Sequence, residues 1–233
     1  MGVWISGSIE EVEVAAATGL IEAVATNPRL IVQWTDGGRY TLEEVVEKAC
    51  RKVDLPLFVQ LWGPKKDEFL VEAEALRSIS TQICFKLPAT PDGISAASQL
   101  ARGGIATLVT AVCSVNQAYL AAVAGAHYIA PYFGRINAAG QDAPGLIRNV
   151  AELYMRHGID TKIVAASVRT PEDATGALLS GAHAVVVFYS VFEELFRHDV
   201  TRASLEQFEQ DWNQIRYETR GKFHDRENPK TAH

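Results

Sequence analysis

The chain has 233 residues, and its 22 Lys+Arg against 28 Asp+Glu leave a formal charge of −6. That balance excludes an extended polyanion-binding surface, which needs clustered excess positive charge, so no nucleic-acid partner is expected. With 48% hydrophobic and 21% charged residues, the chain can bury a full core and is not disordered as a whole. No apolar run approaches the roughly 20 residues of a membrane span, and the start MGVWISGSIEE lacks a basic segment ahead of an apolar one. A cytoplasmic protein with no membrane partner is therefore expected.

Eight short apolar runs alternate with longer amphipathic stretches. The first two, residues 3–6 (VWIS) and 21–25 (IEAVA), flank a helix signal in which Ser8 and Glu11 have capping-box spacing. Thr41 and Glu44 repeat that spacing ahead of the third run, residues 57–61 (LFVQL). The fourth and fifth follow at 83–87 (ICFKL) and 105–110 (IATLVT), the sixth at 127–132 (HYIAPY). After the seventh, 162–167 (KIVAAS), Pro171 with Glu172 and Asp173 suits the first turn of a helix, and the eighth is 183–188 (HAVVVF). Gly19, Gly103, Gly125, Gly158 and Gly181 stand where helices end and a left-handed C-cap is wanted. Continuous rather than alternating apolar strands signal a parallel sheet covered on both faces. Eight βα units predict a single α/β domain, a (β/α)8 TIM barrel over residues 1–200, the alternative being an open doubly wound sheet. An extra C-terminal helix is predicted over 201–217, where Phe208 and Trp212 must cover an apolar surface, either on a neighbouring subunit or across the barrel end. Residues 218–233 read as a polar, partly disordered tail.

Cys50, Cys84 and Cys113 lie far apart without CxxC spacing and read as free thiols in packing roles. The six histidines show no ligand spacing, no aspartate pair indicates magnesium, and no GxGxxG follows a strand. Neither a metal nor a bound cofactor is expected.

In a barrel, functional side chains sit at the C-terminal ends of the strands. Lys86 is the most informative of these, because it lies inside ICFKLP between apolar neighbours. An inward lysine must desolvate its ammonium, which lowers its pKa and exposes a neutral amine able to attack a carbonyl. The strand alone leaves a buried ion pair or an outward lysine open. Other strand ends are also polar: Asn27, Gln60, Thr110, Tyr132 and Ser167. Together they describe a ring of hydrogen-bonding groups around one amine, in which the Tyr132 phenol can exchange a proton and Gln60 and Thr110 can hold a water. Arg135 after the sixth strand, with Ser167 and Arg169 around the end of the seventh, suits an anionic substituent such as phosphate. Surface ion pairs are the alternative for the arginines.

At these residues the chain resembles the small transaldolases, in particular the fructose-6-phosphate aldolase type. The matching segments are AVATNPRLI (23–31), LFVQLWG (57–63), ICFKLPAT (83–90), TLVTAV (107–112), AGAHYIAPYFGRINAAG (124–140), IVAASVRTPEDA (163–174) and QFEQDW (207–212). The resemblance implies that Lys86 is the Schiff-base lysine, forming an imine with a ketone donor. It implies that Tyr132 is the general acid/base, that Gln60 and Thr110 position the catalytic water, and that Asn27 binds donor hydroxyls. Arg135, Ser167 and Arg169 would receive the acceptor's phosphate. True transaldolases carry Glu in place of Gln60, Phe in place of Tyr132 and Ser in place of Ala130, so all three positions side with the aldolase branch. Expected substrates are small carbonyl compounds: a dihydroxyacetone-like donor and a phosphorylated aldehyde. Transfer of the three-carbon unit between sugar phosphates is the alternative. Small members of the family form pentameric rings that pair into decamers, so a homo-oligomer with its C-terminal helix exchanged between subunits is expected.

One departure stands out. The family's first strand ends in Leu-Asp-Thr, where this chain has Ile5, Ser6 and Gly7. Ser6 carries no charge, so it can neither pair electrostatically with Lys86 nor serve as a base. Asn137 also departs from the Asp that is typical, and Val187-Phe188-Tyr189-Ser190 replaces a Leu-Pro-Leu-Asp turn, which makes the mouth of the barrel narrower and more aromatic. These changes leave open an altered aldehyde substrate, or a scaffold whose activity has decayed.

Overall fold

A computed structural model describes the backbone of residues 2–226 and the side chains of residues 2–216. Its strands are β1 (Gly2–Ser6), β2 (Ile21–Ala25), β3 (Leu57–Gln60), β4 (Ile83–Pro88), β5 (Thr107–Val112), β6 (Tyr128–Pro131), β7 (Lys162–Val168) and β8 (Ala184–Phe188). They close into a barrel in sequence order, all pairs parallel, with β8 returning to β1 from Gly2↔Ala184 to Ser6↔Phe188. This is the (β/α)8 barrel expected from the eight apolar runs.

The connecting helices are α1 (Ile9–Ala16), α2 (Pro28–Trp34), α3 (Leu42–Lys52), α4 (Lys66–Arg77), α5 (Pro91–Arg102), α6 (Val115–Val123), α7 (Phe133–Ala138), α8 (Ala143–His157), α9 (Pro171–Leu179) and α10 (Tyr189–Glu194). Their starts follow the sequence signals. The Ser8 backbone N–H donates to Glu11 Oε2 at 2.7 Å while the Glu11 N–H donates to Ser8 Oγ at 3.2 Å, and Thr41 with Glu44 repeats the exchange. One expected cap moves: Gly103 has φ −79°, and it is Gly104, at φ +74°, that takes the left-handed position after α5.

Side-chain alternation splits the core in two. Ile5, Val24, Phe85, Ile129, Ile163 and Val185 point outward and pack under the helices, whereas Trp4, Phe58, Leu108, Ala130 and Val164 fill the barrel. Inside, Trp4 stacks on Phe58 with centroids 4.6 Å apart, and Tyr128 stands edge-on to both at 5.0 and 5.5 Å. This aromatic plug separates the two ends of the barrel. Below it, Ala23, Ala106, Ala184 and Cys84 are too small to fill the N-terminal mouth and leave a cavity of about 340 Å³ that contains none of the polar strand ends.

A second unit, residues 195–233, carries α11 (Asp199–Arg226), whose backbone stays helical past the boundary expected at residue 217. The rest of the expected tail, residues 227–233, lies outside the described residues. Among the described residues no helix is long and apolar enough to cross a membrane.

Two irregularities shape the upper rim. The ladder slips between Thr110 and Val112 and between Ala165 and Val168, at Ala111 (φ +60°) and Ser167 (φ +59°). Non-glycine residues seldom adopt this left-handed backbone, and bulges of this kind re-aim the side chains that follow. Two residues past Ala111, Cys113 is exposed rather than packed, contrary to expectation. At Ser167 the chain meets the start of α7, where a Cβ on Gly134 would lie 2.1 Å from the Ser167 carbonyl oxygen. Because that neighbour is backbone, Gly134→Ala forces the rim apart. We expect it to cost about 1 to 3 kcal/mol, a fall in Tm of roughly 3 to 10 °C for a domain of this size, measured by thermal unfolding followed by circular dichroism.

Candidate active site

Strand β4 sends Ile83, Phe85 and Leu87 outward and Lys86 inward, where the lysine is only 6% exposed. Its Nζ donates to the Thr26 carbonyl at 3.0 Å. Thr26 is itself fixed, since its hydroxyl donates to the Phe58 carbonyl at 3.2 Å and accepts the Gln60 N–H at 3.0 Å. The acceptor that holds the amine is thus clamped across β2 and β3. Burial lowers the Lys86 pKa to about 8, and the positive charge of Arg135 pushes the same way. Among the described residues no carboxylate pairs with it. The ion-paired and outward alternatives for this lysine are thereby excluded.

Gln60 lies in register with Lys86, and Thr110 lies in register with Pro88 and Ala130. Gln60 Oε1 and Thr110 Oγ1 are buried without a hydrogen-bond partner. Leaving such an atom unmet costs about 1 to 3 kcal/mol, so both oxygens favour a polar ligand beside the amine. The third orphan, Thr107 Oγ1, belongs to the outward side of β5 and is not part of this group. Ala130, fully buried, keeps the interior open where a larger side chain would intrude.

Tyr132 follows the end of β6, anchored by its N–H to the Val112 carbonyl at 3.1 Å and bridged to Ala166. The Arg135 guanidinium lies over its ring, 4.7 Å from the centroid. Close approach of Gly134 to Ser167 brings the α7 start against the end of β7, and the Arg169 Cγ lies 3.4 Å from where a Gly134 Cβ would stand. Arg135, Ser167 and Arg169 are therefore brought to one corner of the rim. Both arginines are exposed, and neither side chain pairs with a carboxylate among the described residues.

Two expected contacts are partly committed elsewhere. Asn27 Oδ1 accepts the Leu30 N–H at 3.1 Å as the N-cap of α2, which leaves its amide group to face a ligand. Ser6 is 4% exposed and its hydroxyl donates to the Ala25 carbonyl at 2.6 Å. Sequence reasoning missed Thr26 and Gly134. Thr26 stands directly after the apolar run IEAVA, a polar residue at a strand end like those that were noticed.

An amine buried without a counter-ion among the described residues, two orphaned oxygens and a corner holding two arginines meet at the C-terminal end of one barrel. The chain matches the family described as Transaldolase/Fructose-6-phosphate aldolase over residues 6–225. It belongs to this family. Similar proteins named "Probable transaldolase" include one from Pelotomaculum thermopropionicum, 38% identical over 211 residues that span 91% of this chain and 96% of that protein. Another, from Alkaliphilus metalliredigens, is 37% identical over 207 residues, covering 89% and 95%. A third, from Dictyoglomus turgidum, is 35% identical over 210 residues, covering 90% and 96%.

Burial of Lys86 has a measurable signature. An unfolded lysine titrates near 10.5 and the folded Lys86 near 8, so between these values the unfolded chain binds the extra proton and stability rises with pH. Below about pH 8 the amine is protonated in both states and the desolvation cost is fully present. We expect Lys86→Met to be about 1 to 3 kcal/mol more stable than the parent at pH 7, after the loss of the bond to Thr26 is counted. The gap closes as pH rises toward 10. Urea unfolding at pH 7 and 9.5 measures it, and a gap that does not change with pH contradicts the buried-amine assignment.

Proposed function

We propose that this transaldolase-family protein is a metal-free class I aldolase of the fructose-6-phosphate aldolase type, acting through an imine at Lys86. The observation that carries this reading is the buried, uncompensated amine. With a pKa of about 8, about one molecule in ten holds it neutral at pH 7, against a negligible fraction for an exposed lysine. The neutral amine adds to the carbonyl of a dihydroxyacetone-like donor, and the carbinolamine loses water to give an iminium. Loss of a proton from the adjacent carbon gives an enamine, whose carbon attacks the aldehyde. The new alkoxide takes a proton, and water hydrolyses the iminium to free Lys86. Cleavage runs the same steps in reverse.

Tyr132 is the group we assign to proton transfer through a water held by Gln60 Oε1 and Thr110 Oγ1, the two orphaned acceptors. The free amide of Asn27 and the Ser6 oxygen contact donor hydroxyls. Ala130 leaves room for the donor. Arg135, Ser167 and Arg169 hold an anionic end of the acceptor, since unpaired guanidinium groups favour a phosphate. The names of the similar proteins favour the second reading, in which the enamine is passed to another sugar phosphate and free dihydroxyacetone is not released.

Borohydride reduction with dihydroxyacetone should leave a three-carbon adduct on Lys86 detectable by mass spectrometry, and Lys86→Met should show none. Absence of an adduct in the parent, under conditions that label a known class I aldolase, would sink the enzyme reading. Incubation with fructose 6-phosphate alone separates the two activities. Release of free dihydroxyacetone marks the aldolase; turnover only when a second aldose phosphate is added marks the transaldolase.

Assembly is part of the same reading. Leu205, Phe208, Trp212 and Ile215 recur at three- and four-residue spacings on α11, and Phe208 and Trp212 are 56% and 60% exposed. This stripe is suited to cover a neighbouring copy in a homo-oligomer, a pentamer or decamer. Light scattering should give a mass of at least five chains, and Trp212→Glu should lower it; a monomeric mass for the parent refutes the exchange.

A further inference from the structure

The ring around Lys86 is polar on one side only. On β3 and β5, Gln60 and Thr110 hold orphaned oxygens, whereas β8 and β1 form a different wall. Val185 and Val187 pack outward with the helix-facing core, so alternation turns Val186 and Phe188 toward the barrel interior. Phe188 ends β8 at the rim, 44% exposed, in register with Ser6 on β1. The Ser6 hydroxyl hydrogen is already given to the Ala25 carbonyl, so Ser6 can accept from a ligand but not donate to it. No carboxylate stands on either strand, whose sequences are GVWIS and AVVVF. The wall thus consists of an aromatic ring, an isopropyl group and a single acceptor.

A polyhydroxylated acceptor chain laid on this wall gives up water and finds no partner beyond the Ser6 oxygen that the donor already uses, whereas alkyl or aryl carbons lose nothing and gain contact with the ring. We propose that Phe188 is a specificity-determining residue, and that the acceptor is an aldehyde whose carbons between the carbonyl and its anionic end are unhydroxylated. This rests on the imine chemistry above. The bond-forming step is the same: the Lys86 enamine carbon attacks the aldehyde carbon, the aldehyde oxygen takes a proton, and water releases the product from Lys86.

Two aldehydes of equal length and charge isolate the effect: erythrose 4-phosphate, and 4-oxobutyl phosphate, which lacks its two hydroxyls. With dihydroxyacetone as donor, kcat/KM for 4-oxobutyl phosphate should exceed that for erythrose 4-phosphate by about tenfold or more, the range in which apolar pockets discriminate. Phe188→Ala should reduce that ratio about tenfold, and Phe188→Tyr, which keeps the ring, should largely retain it. A parent enzyme that prefers erythrose 4-phosphate, or a ratio that Phe188→Ala leaves unchanged, overturns the proposal. Borohydride trapping with dihydroxyacetone is run on the same preparations. Trapping with the wrong ratio defeats this inference alone, while no trapping defeats the imine reading and this inference with it.

Discussion

Burial of one ammonium without a counter-ion is the constraint around which the upper barrel is arranged. A lysine that is 6% exposed and touches a backbone carbonyl, with the positive charge of Arg135 acting against its own, is a destabilising element in isolation. It persists because the surrounding structure leaves it no other position. The stem rises from a position paired on both sides, with Gln60 and with Leu108, and the carbonyl it reaches belongs to a residue clamped between β2 and β3. Stability is given up where the proposed chemistry needs a neutral amine, a pattern common at functional sites.

The rest of the barrel supports that arrangement by dividing its interior. The stack of Trp4 and Phe58, with Tyr128 across it, closes the channel below the amine, so polar groups above it are reached from the C-terminal end alone. The bulges at Ala111 and Ser167 act at that same end. Each inserts a left-handed residue between two paired positions near the strand's end, and each lies beside the strand end that carries Tyr132. Without the second bulge and the bare Cα of Gly134, the α7 start could not sit against β7, and Arg135 and Arg169 would not share a corner. Backbone irregularity here is a positioning device.

How much of this was legible in the sequence follows from what kind of signal each feature leaves. Eight apolar runs marked the eight strands because periodicity is written directly in residue types, and the Ser8/Glu11 and Thr41/Glu44 boxes did the same for helix starts. Lys86 was visible because a cation between Phe85 and Leu87 violates the pattern of its own strand. What was not legible depends on backbone. The Thr26 carbonyl that holds Lys86 is a group every residue has, so nothing in the sequence singles it out. Left-handed Ala111 and Ser167 have no residue signature either, and Cys113, two residues past the first of these bulges, faces solvent. In Gly103-Gly104 the sequence offers two candidates for one cap, and only the path of the chain after α5 selects the second.

The absence of a carboxylate near Lys86 also bears on how protons move. An acid beside the amine would favour the ammonium and raise its pKa, whereas Ser6 leaves desolvation and Arg135 unopposed. The amine is thereby freer at neutral pH, and in the proposed imine chemistry no carboxylate among the described residues pairs with it to receive the proton. In that proposal the proton is carried by the Tyr132 phenol through a water held by Gln60 and Thr110, whose oxygens are buried without a partner. On the proposed reading, serine in place of an acid makes the nucleophile easier to expose and places the proton traffic on the β3, β5 and β6 side of the barrel. The β8 and β1 side, on the same proposal, meets substrate through shape and apolar contact, which is the chemistry that Phe188 and Val186 offer.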